Sequence, residues 1–187
     1  MTPFAEVKKF GAHLKLLWLS RRLWLCLLPA LLAGCASRPP FAQSQAGLVE
    51  ELCALGPAVD MREAEAAAET SCTRPQELAQ KYRIVGSPLF HNLMINIGLR
   101  KRGLCYQWAD DLTVALDALN LQTLELHRGV AHLGSMREHS SVVITTPGQP
   151  FDQGIVLDAW RYSGQLYYGA VATDKYPWKR VELRNIP

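Results

Sequence analysis

Three residues in the second half of the chain are of the types that together can break an amide bond. Cys105 begins a helical pattern, and a thiol at a helix N-terminus lies at the positive end of the backbone dipole, which favours the thiolate. His139 begins an apolar strand pattern and Asp158 ends another. Cysteine, histidine and a carboxylate can act as nucleophile, base and the group that orients the base. The sequence therefore predicts a triad of Cys105, His139 and Asp158.

The strand pattern selects His139 from the other histidines. The strands predicted at 139–146 and 154–160 are joined by a short turn, so they should pair antiparallel, and residues on one face of such a pair can meet. Asp158 stands between Leu157 and Ala159, where a carboxylate without a partner would be costly. His139 is its predicted partner. An alternative stays open, in which this pair is a structural polar contact and Cys105 is a small buried apolar residue.

The remaining patterns divide the chain into a helical half and a strand half. Four helices are predicted, at 47–55, 61–71, 73–82 and 89–99, the third from a capping box at Thr73-Arg74-Pro75-Gln76. Strands are predicted at 122–127, 139–146, 154–160 and 165–171, with a loop at 129–137 and an irregular aromatic cover at the end. The expected fold class is α+β, with a helical N-terminal half packed on a small antiparallel sheet.

Polar residues on the helix before Cys105 have two interpretations. His91, Asn92 and Asn96 are expected to make capping or other satisfied polar contacts, or else one of them faces Cys105 as an oxyanion donor. The basic run Arg100-Lys101-Arg102 is either a solvated cluster or a positive field that helps hold a thiolate.

The N-terminus is predicted to be an export signal, and an uncleaved membrane anchor is the alternative. Basic residues precede an apolar run of about ten residues that is too short to span a bilayer alone. Leu32-Ala33-Gly34-Cys35 resembles a bacterial lipobox, which implies cleavage after residue 34 and acylation of Cys35. Ser20-Arg21-Arg22 resembles a twin-arginine signal. Ala36 resembles the residue that sorts lipoproteins to the outer membrane rather than the inner one. We therefore predict a signal peptide at 1–34, a tether at 35–44 and one domain at 45–187.

Removal of the signal peptide changes the charge. It takes away five basic residues and one acid, which leaves 15 Lys and Arg against 16 Asp and Glu in the mature chain. A chain with this balance has no basic field, so no nucleic-acid partner is expected.

The cysteines are consistent with a free thiol at position 105. Cys26 leaves with the signal peptide and Cys35 is expected to carry lipid, so Cys53, Cys72 and Cys105 remain in an oxidising compartment. Cys53 and Cys72 both lie in the helical half and could form a disulfide, although the sequence does not decide the pairing. If they pair, Cys105 is the remaining thiol.

The segments around the triad resemble those of the transglutaminase-like branch of papain-like cysteine enzymes. The residues that carry the resemblance are Gly103-x-Cys105-x-x-Trp108-Ala109, Glu138-His139-Ser140 and Leu157-Asp158-Ala159-Trp160. Ser140 departs from the pattern, because an aromatic residue usually follows the histidine. NlpC/P60-like endopeptidases are a second resemblance, but a strand-borne aspartate fits the transglutaminase-like pattern better. The resemblance implies a papain-like core that needs no cofactor.

The expected function is that of a lipid-anchored, periplasm-facing enzyme of the bacterial envelope. Its predicted chemistry is acyl transfer from an amide to Cys105 and then to water or to an amine, with no metal, and with a peptide or protein substrate that includes peptidoglycan peptides. Its predicted membrane contact is the lipid on Cys35. The competing hypothesis is a non-catalytic envelope lipoprotein that uses the same fold for binding or scaffolding.

Overall fold

A computed structural model of the protein describes residues 44–182. These residues form one compact unit. The predicted signal peptide at 1–34, the acylation site Cys35 and the tether up to residue 43 lie outside the described residues. None of the helices between Ser44 and Glu182 is long and apolar enough to cross a membrane.

Four α-helices precede the sheet in the chain. They are α1 (Gln45–Ala54), α2 (Met61–Tyr82), α3 (Pro88–Asn96) and α4 (Cys105–Asp117). The first three begin at polar N-caps, because the side chains of Ser44, Asp60 and Ser87 accept hydrogen bonds from backbone N–H groups of the first turn. Helix α4 begins differently and carries Cys105 as its first residue.

Helix α2 corrects the prediction of two helices in this region. It is continuous for 22 residues and contains Pro75 in its interior. The expected capping box does not form, because Thr73 Oγ1 donates back to the Glu69 carbonyl at 2.8 Å and Gln76 Nε2 donates to the Cys72 carbonyl at 3.0 Å. The side chains that suggested a helix start therefore bond within a helix that continues through them.

The sheet is five-stranded and antiparallel, as the α+β prediction requires. The strands are β1 (Glu125–Ala131), β2 (His139–Thr145), β3 (Ile155–Tyr162), β4 (Gln165–Ala170) and β5 (Lys179–Val181). Their order across the sheet is β4-β3-β2-β1-β5. The predicted pairing of the His139 strand with the Asp158 strand is confirmed, with Val142 opposite Leu157 and Ile144 opposite Ile155.

Two strand predictions were wrong at their ends. Strand β1 lies about three residues later than expected and includes Gly129, which had been placed in a loop. A Cβ at Gly129 would lie 3.1 Å from Val143 Cγ2 and 3.5 Å from the Trp178 ring, so the glycine permits close packing within the sheet. The chain end, expected to be irregular, forms β5 beside β1.

The two faces of the sheet are covered differently. Helices pack on the face that presents Val142 and Leu157, where the larger core lies. The opposite face presents Val143 and Val156 and is covered by Trp178 and its neighbours. His139 shares the alternation of Val143, and Asp158 shares that of Val156, so both belong to the second face.

Candidate active site

The start of helix α4 fixes the position of Cys105. Gln107 Oε1 accepts hydrogen bonds from the backbone N–H of Gly103 at 2.7 Å and of Leu104 at 3.1 Å. The buried indole of Trp108 donates to the Gly103 carbonyl at 2.9 Å. These contacts hold the chain entering the helix, so the partly exposed thiol lies at the N-terminus of α4 as predicted.

His139 begins strand β2 and bonds to the predicted partner. Its Nε2 lies 2.7 Å from Asp158 Oδ2. The ring is only 3% exposed and packs among Trp160, Tyr176 and Trp178, with centroid distances of 4.8, 4.8 and 5.2 Å. This aromatic cover leaves the imidazole little freedom to turn away from the carboxylate.

Asp158 is fully buried and has a full set of hydrogen-bond donors. Its Oδ1 accepts from the backbone N–H of Trp160 at 3.1 Å and of Arg161 at 3.0 Å. Its Oδ2 accepts from Arg161 Nε at 2.9 Å as well as from His139. Burial acts to raise the pKa of Asp158, but His139 and Arg161 outweigh it and hold that pKa below its ordinary value. The carboxylate therefore stays ionised beside the imidazole.

The charge state of His139 follows from the same contacts. Burial acts to lower its pKa, while the charge and hydrogen bond of Asp158, together with Cys105, raise the pKa of His139 to about 9. The ring is consequently an imidazolium at neutral pH.

The second ring nitrogen is the one available to the thiol. Nε2 of His139 is engaged by Asp158, whereas Nδ1 is buried and makes no regular hydrogen bond to any residue of the described part. Cys105 lies close enough to the ring to help raise the pKa of His139. The Cys105 thiol also contacts the Glu138 carbonyl at 3.8 Å. The structure thus brings the three predicted residues together in one place.

Cys105 and His139 border an open cleft of about 470 Å³, whereas Asp158 lies buried behind His139. Trp160 also lines the cleft, and the remaining lining residues are of mixed chemistry. Apolar side chains and positive side chains both contribute, namely Leu89, Met136, Tyr176, Arg137, Arg161 and Lys175. A cleft of this kind can accept an extended peptide-sized segment.

Asn92 of α3 borders this cleft, and a hydrogen bond to Trp160 orients its side-chain amide. The Trp160 indole donates to Asn92 Oδ1 at 3.3 Å, and because an indole N–H can only donate, the oxygen must face the tryptophan. The amide NH₂ is therefore the end that remains for a ligand in the cleft, where Asn92 lies with Cys105.

The other two polar residues considered on α3 have different roles. His91 is buried, accepts from the Val85 N–H at 3.2 Å through Nδ1, and donates to the Arg102 carbonyl at 2.9 Å through Nε2. It is a satisfied structural histidine. Asn96 is exposed and does not border the cleft. Of the basic run, Arg102 pairs with Asp111 at 3.0 Å and not with the thiol.

Sequence analysis missed the residues that support Asp158 from behind. Arg161 donates to Asp174 through Nη1 at 2.9 Å and through Nη2 at 3.1 Å, in addition to its bond to Asp158. A buried carboxylate can accept several hydrogen bonds, and one histidine supplies only one of them. The need for further donors could have indicated the nearby Arg161. Tyr176 and Trp178 carried no signal beyond being aromatic.

Cys53 and Cys72 do not form the disulfide that was considered. Both are free cysteines. The Cys53 thiol contacts the Met61 sulfur at 3.8 Å, and burial raises the pKa of the Cys72 thiol, which makes it a poor nucleophile. Helix packing has thus given each thiol a separate environment. Within residues 44–182 there is also no cluster of three His, Cys, Asp or Glu residues that could hold a metal ion.

Comparisons with protein-family models, with curated proteins and with solved structures gave no significant match to this chain.

Proposed function

We propose that the protein is a cell-envelope cysteine enzyme that acts on amide bonds through a thiol acyl-enzyme, anchored by lipid on Cys35. Cys105 is the nucleophile, His139 the acid and base, and Asp158 the group that orients His139. The observation that carries the proposal is that the two ring nitrogens of His139 have different surroundings. Nε2 is held by a buried carboxylate at 2.7 Å, and Nδ1 is left for the thiol.

The first half of the reaction uses the imidazolium that the site stabilises. The thiolate of Cys105 attacks the carbonyl carbon of the amide, and the carbonyl oxygen becomes an oxyanion. The proposed donors to it are the backbone N–H of Cys105, at the start of α4, and the amide of Asn92, which borders the cleft. His139 then gives its proton to the nitrogen as the C–N bond breaks, which releases an amine and leaves a thioester.

The second half regenerates the enzyme. Water or an amine attacks the thioester carbonyl, the now neutral His139 takes the proton of the attacking group, and the thiolate leaves. Water gives a peptidase or amidase, and an amine gives a transferase. Either acceptor can enter the open cleft, so both outcomes belong to the proposal.

We also propose that the fold is a papain-like core of the transglutaminase-like type. Its support is a helix that begins at the cysteine, followed by antiparallel strands that carry the histidine and the aspartate. The export signal and the lipobox-like segment support a periplasm-facing location, more in keeping with the outer membrane than the inner one. Peptide or protein substrates, including peptidoglycan peptides, suit that location.

A second candidate is a non-catalytic envelope lipoprotein that binds a partner through the same cleft. One observation favours it. The thiol of Cys105 contacts the Glu138 carbonyl, an acceptor that stabilises a protonated sulfur and not an anion.

Thiol labelling separates the two candidates. The full chain is treated with iodoacetamide from about pH 5 to about pH 9, and each cysteine is followed by peptide mass spectrometry. The enzyme hypothesis expects Cys105 to label rapidly below neutral pH, well ahead of Cys53 and Cys72, and expects His139→Ala to remove that advantage. His139→Gln is the matched variant that keeps the ring's volume more closely.

Labelling of Cys105 that rises only at alkaline pH, and is equal in wild type and both variants, would favour the binding module.

A further inference from the structure

We propose that one face of the molecule docks on an anionic membrane surface. The face has two parts. The α3 apolar face consists of Leu89, Phe90, Leu93, Ile97 and Leu99. The basic cleft beside it is lined by Lys81, Arg83, Arg100, Lys101 and Arg102. This inference goes beyond the proposed function and does not depend on catalysis, although it uses the proposed lipid anchor.

Helix α3 leaves much of its apolar surface exposed. His91 is its only buried residue, while Leu89, Phe90 and Leu93 are 72%, 41% and 51% exposed. Ile97 and Leu99 continue the surface at 56% and 58% exposure. Adjacent exposed side chains of this size form a patch that a water-facing surface does not ordinarily keep. The patch is therefore a candidate contact surface for an apolar partner.

The sequence around α3 carries no carboxylate, lysine or arginine for sixteen positions. Between Arg83 and Arg100 there is no Asp, Glu, Lys or Arg. A solvated helix normally shows charges on its outer side, whereas a helix that lies in a membrane interface presents apolar residues and is bordered by Lys and Arg. The segment matches the second description.

The basic cleft adjoins the apolar face through Leu99, which lines it. The cleft has a volume of about 320 Å³. Its cations are only partly neutralised, since Asp111 pairs with Arg102 at 3.0 Å and with Lys81 at 3.7 Å. Arg100 is held by the carbonyls of Arg83 and Leu99.

Two cations of the cleft remain for a ligand. The side chains of Arg83 and Lys101 have no hydrogen bond or ion pair with any of residues 44–182, and both residues are exposed. A phosphate group in the cleft would meet these two charges while the attached acyl chains lay against Leu99 and its neighbours.

Charge complementarity and tether length favour lipid as the occupant. Anionic headgroups match the basic cleft, and acyl chains match the apolar face. If Cys35 is acylated, eight residues separate it from Ser44, so Ser44 cannot lie more than about 30 Å from the bilayer. The tether therefore keeps the domain at the bilayer surface.

Docking in this way would place the candidate active site at the membrane surface. Leu89 and Asn92 of α3 also border the cleft that contains Cys105. A substrate would then be presented close to the headgroups, as a membrane-attached peptide or protein would be.

Site-specific photocrosslinking tests the proposal. The full chain carries a benzophenone amino acid at Leu93 and is reconstituted with phosphatidylcholine vesicles, with or without phosphatidylglycerol. Val114, which is 68% exposed on α4, is the control position. We expect lipid adducts at position 93 to exceed those at 114 several-fold, and to increase further with phosphatidylglycerol.

Three results would overturn the assignment. Equal lipid adducts at 93 and 114 would show that anchoring alone brings lipid near. Adducts at 93 with another copy of the chain, or with residues 1–43, would identify that occupant instead. Loss of the phosphatidylglycerol effect in low millimolar inorganic phosphate would show a site for soluble anions.

Charge variants test the basic cleft. The double variant R83Q/K101Q should lose the phosphatidylglycerol dependence, whereas the control R62Q/K179Q, which changes two exposed cations elsewhere, should keep it. Equal behaviour of the two variants would exclude the cleft as the headgroup site. Cys105 labelling in the same samples reports on the proposed chemistry separately, because it should be unchanged by either variant.

Discussion

The backbone of Gly103 lies directly against the imidazole of His91. A Cβ built on Gly103 would come within 2.6 Å of both Cδ2 and Nε2 of that ring, and the glycine has a φ of +127°. Since His91 Nε2 also donates to the Arg102 carbonyl, the buried ring holds the chain immediately before Cys105. The position of the thiol thus depends on a histidine that has no part in the proposed chemistry.

Gly103→Ala should displace this segment. The substitution adds a methyl group where the ring lies and forces a side chain into a positive φ, so we expect a loss of roughly 2–3 kcal/mol of unfolding free energy. Gly98→Ala is the matched control, because Gly98 also has a positive φ but a Cβ there meets nothing within 4 Å. It should cost about 1 kcal/mol.

Urea unfolding of the two variants measures the difference. Equal losses of unfolding free energy would show that the His91 contact relaxes without cost. The inference that this contact positions Cys105 would then be wrong.

The stability of the protein should fall as the pH rises above neutrality. The folded pKa of His139 is raised to about 9. A group with a raised pKa contributes stability that is fully present below its ordinary value of about 6.5 and is lost as the pH passes its folded value. The expected loss from about pH 6.5 to about pH 9.5 is roughly 3 kcal/mol. Urea unfolding across this range measures it, and His139→Gln should flatten the profile.

Asp158 acts in the opposite direction at acidic pH. Its folded pKa is lowered, so its contribution is present above the ordinary value of about 3.9 and is lost as the pH falls through the folded pKa. Asp158→Asn removes the carboxylate from His139 and Arg161, so the pKa of His139 should drop substantially. An NMR titration of the His139 ring measures this directly. A ring pKa that stays near 9 in the variant would contradict the assigned cause.

The three thiols of the domain should all be free. Alkylation of the denatured chain without reductant should modify Cys53 and Cys72 completely, with the same peptide masses as after reduction. A Cys53–Cys72 peptide that separates only on reduction would show that the disulfide forms. In that case the double variant Cys53→Ala/Cys72→Ala should cost 2–5 kcal/mol, as loss of a native disulfide does.

The parts of the site that could be predicted are those that follow a regular spacing of apolar residues along the sequence. Alternation placed His139 and Asp158 on one face of two paired strands, and the three- and four-residue pattern placed Cys105 at a helix start. The α+β class followed from the same periods and is confirmed. The papain-like core and the catalytic roles stay predictions.

The parts that were missed depend on tertiary packing. Pro75 and Thr73 look like a helix start locally, but packing of the long helix keeps them inside it. Gly129 looks like a loop residue, yet the sheet needs a glycine beneath Trp178. Asp174 is distant from Asp158 in sequence, and only the fold brings both to Arg161. The spacing of apolar residues in one sequence carries no information on contacts between distant residues.

The aromatic cover of His139 is completed by residues made late in translation. Trp178 lies 5.2 Å from the ring and immediately precedes β5, which joins the sheet beside β1, at the opposite edge from β4. Cys105, His139 and Asp158 all leave the ribosome before Trp178 does. The enclosure of His139 is therefore incomplete in any chain that lacks Trp178 and the strand that follows it.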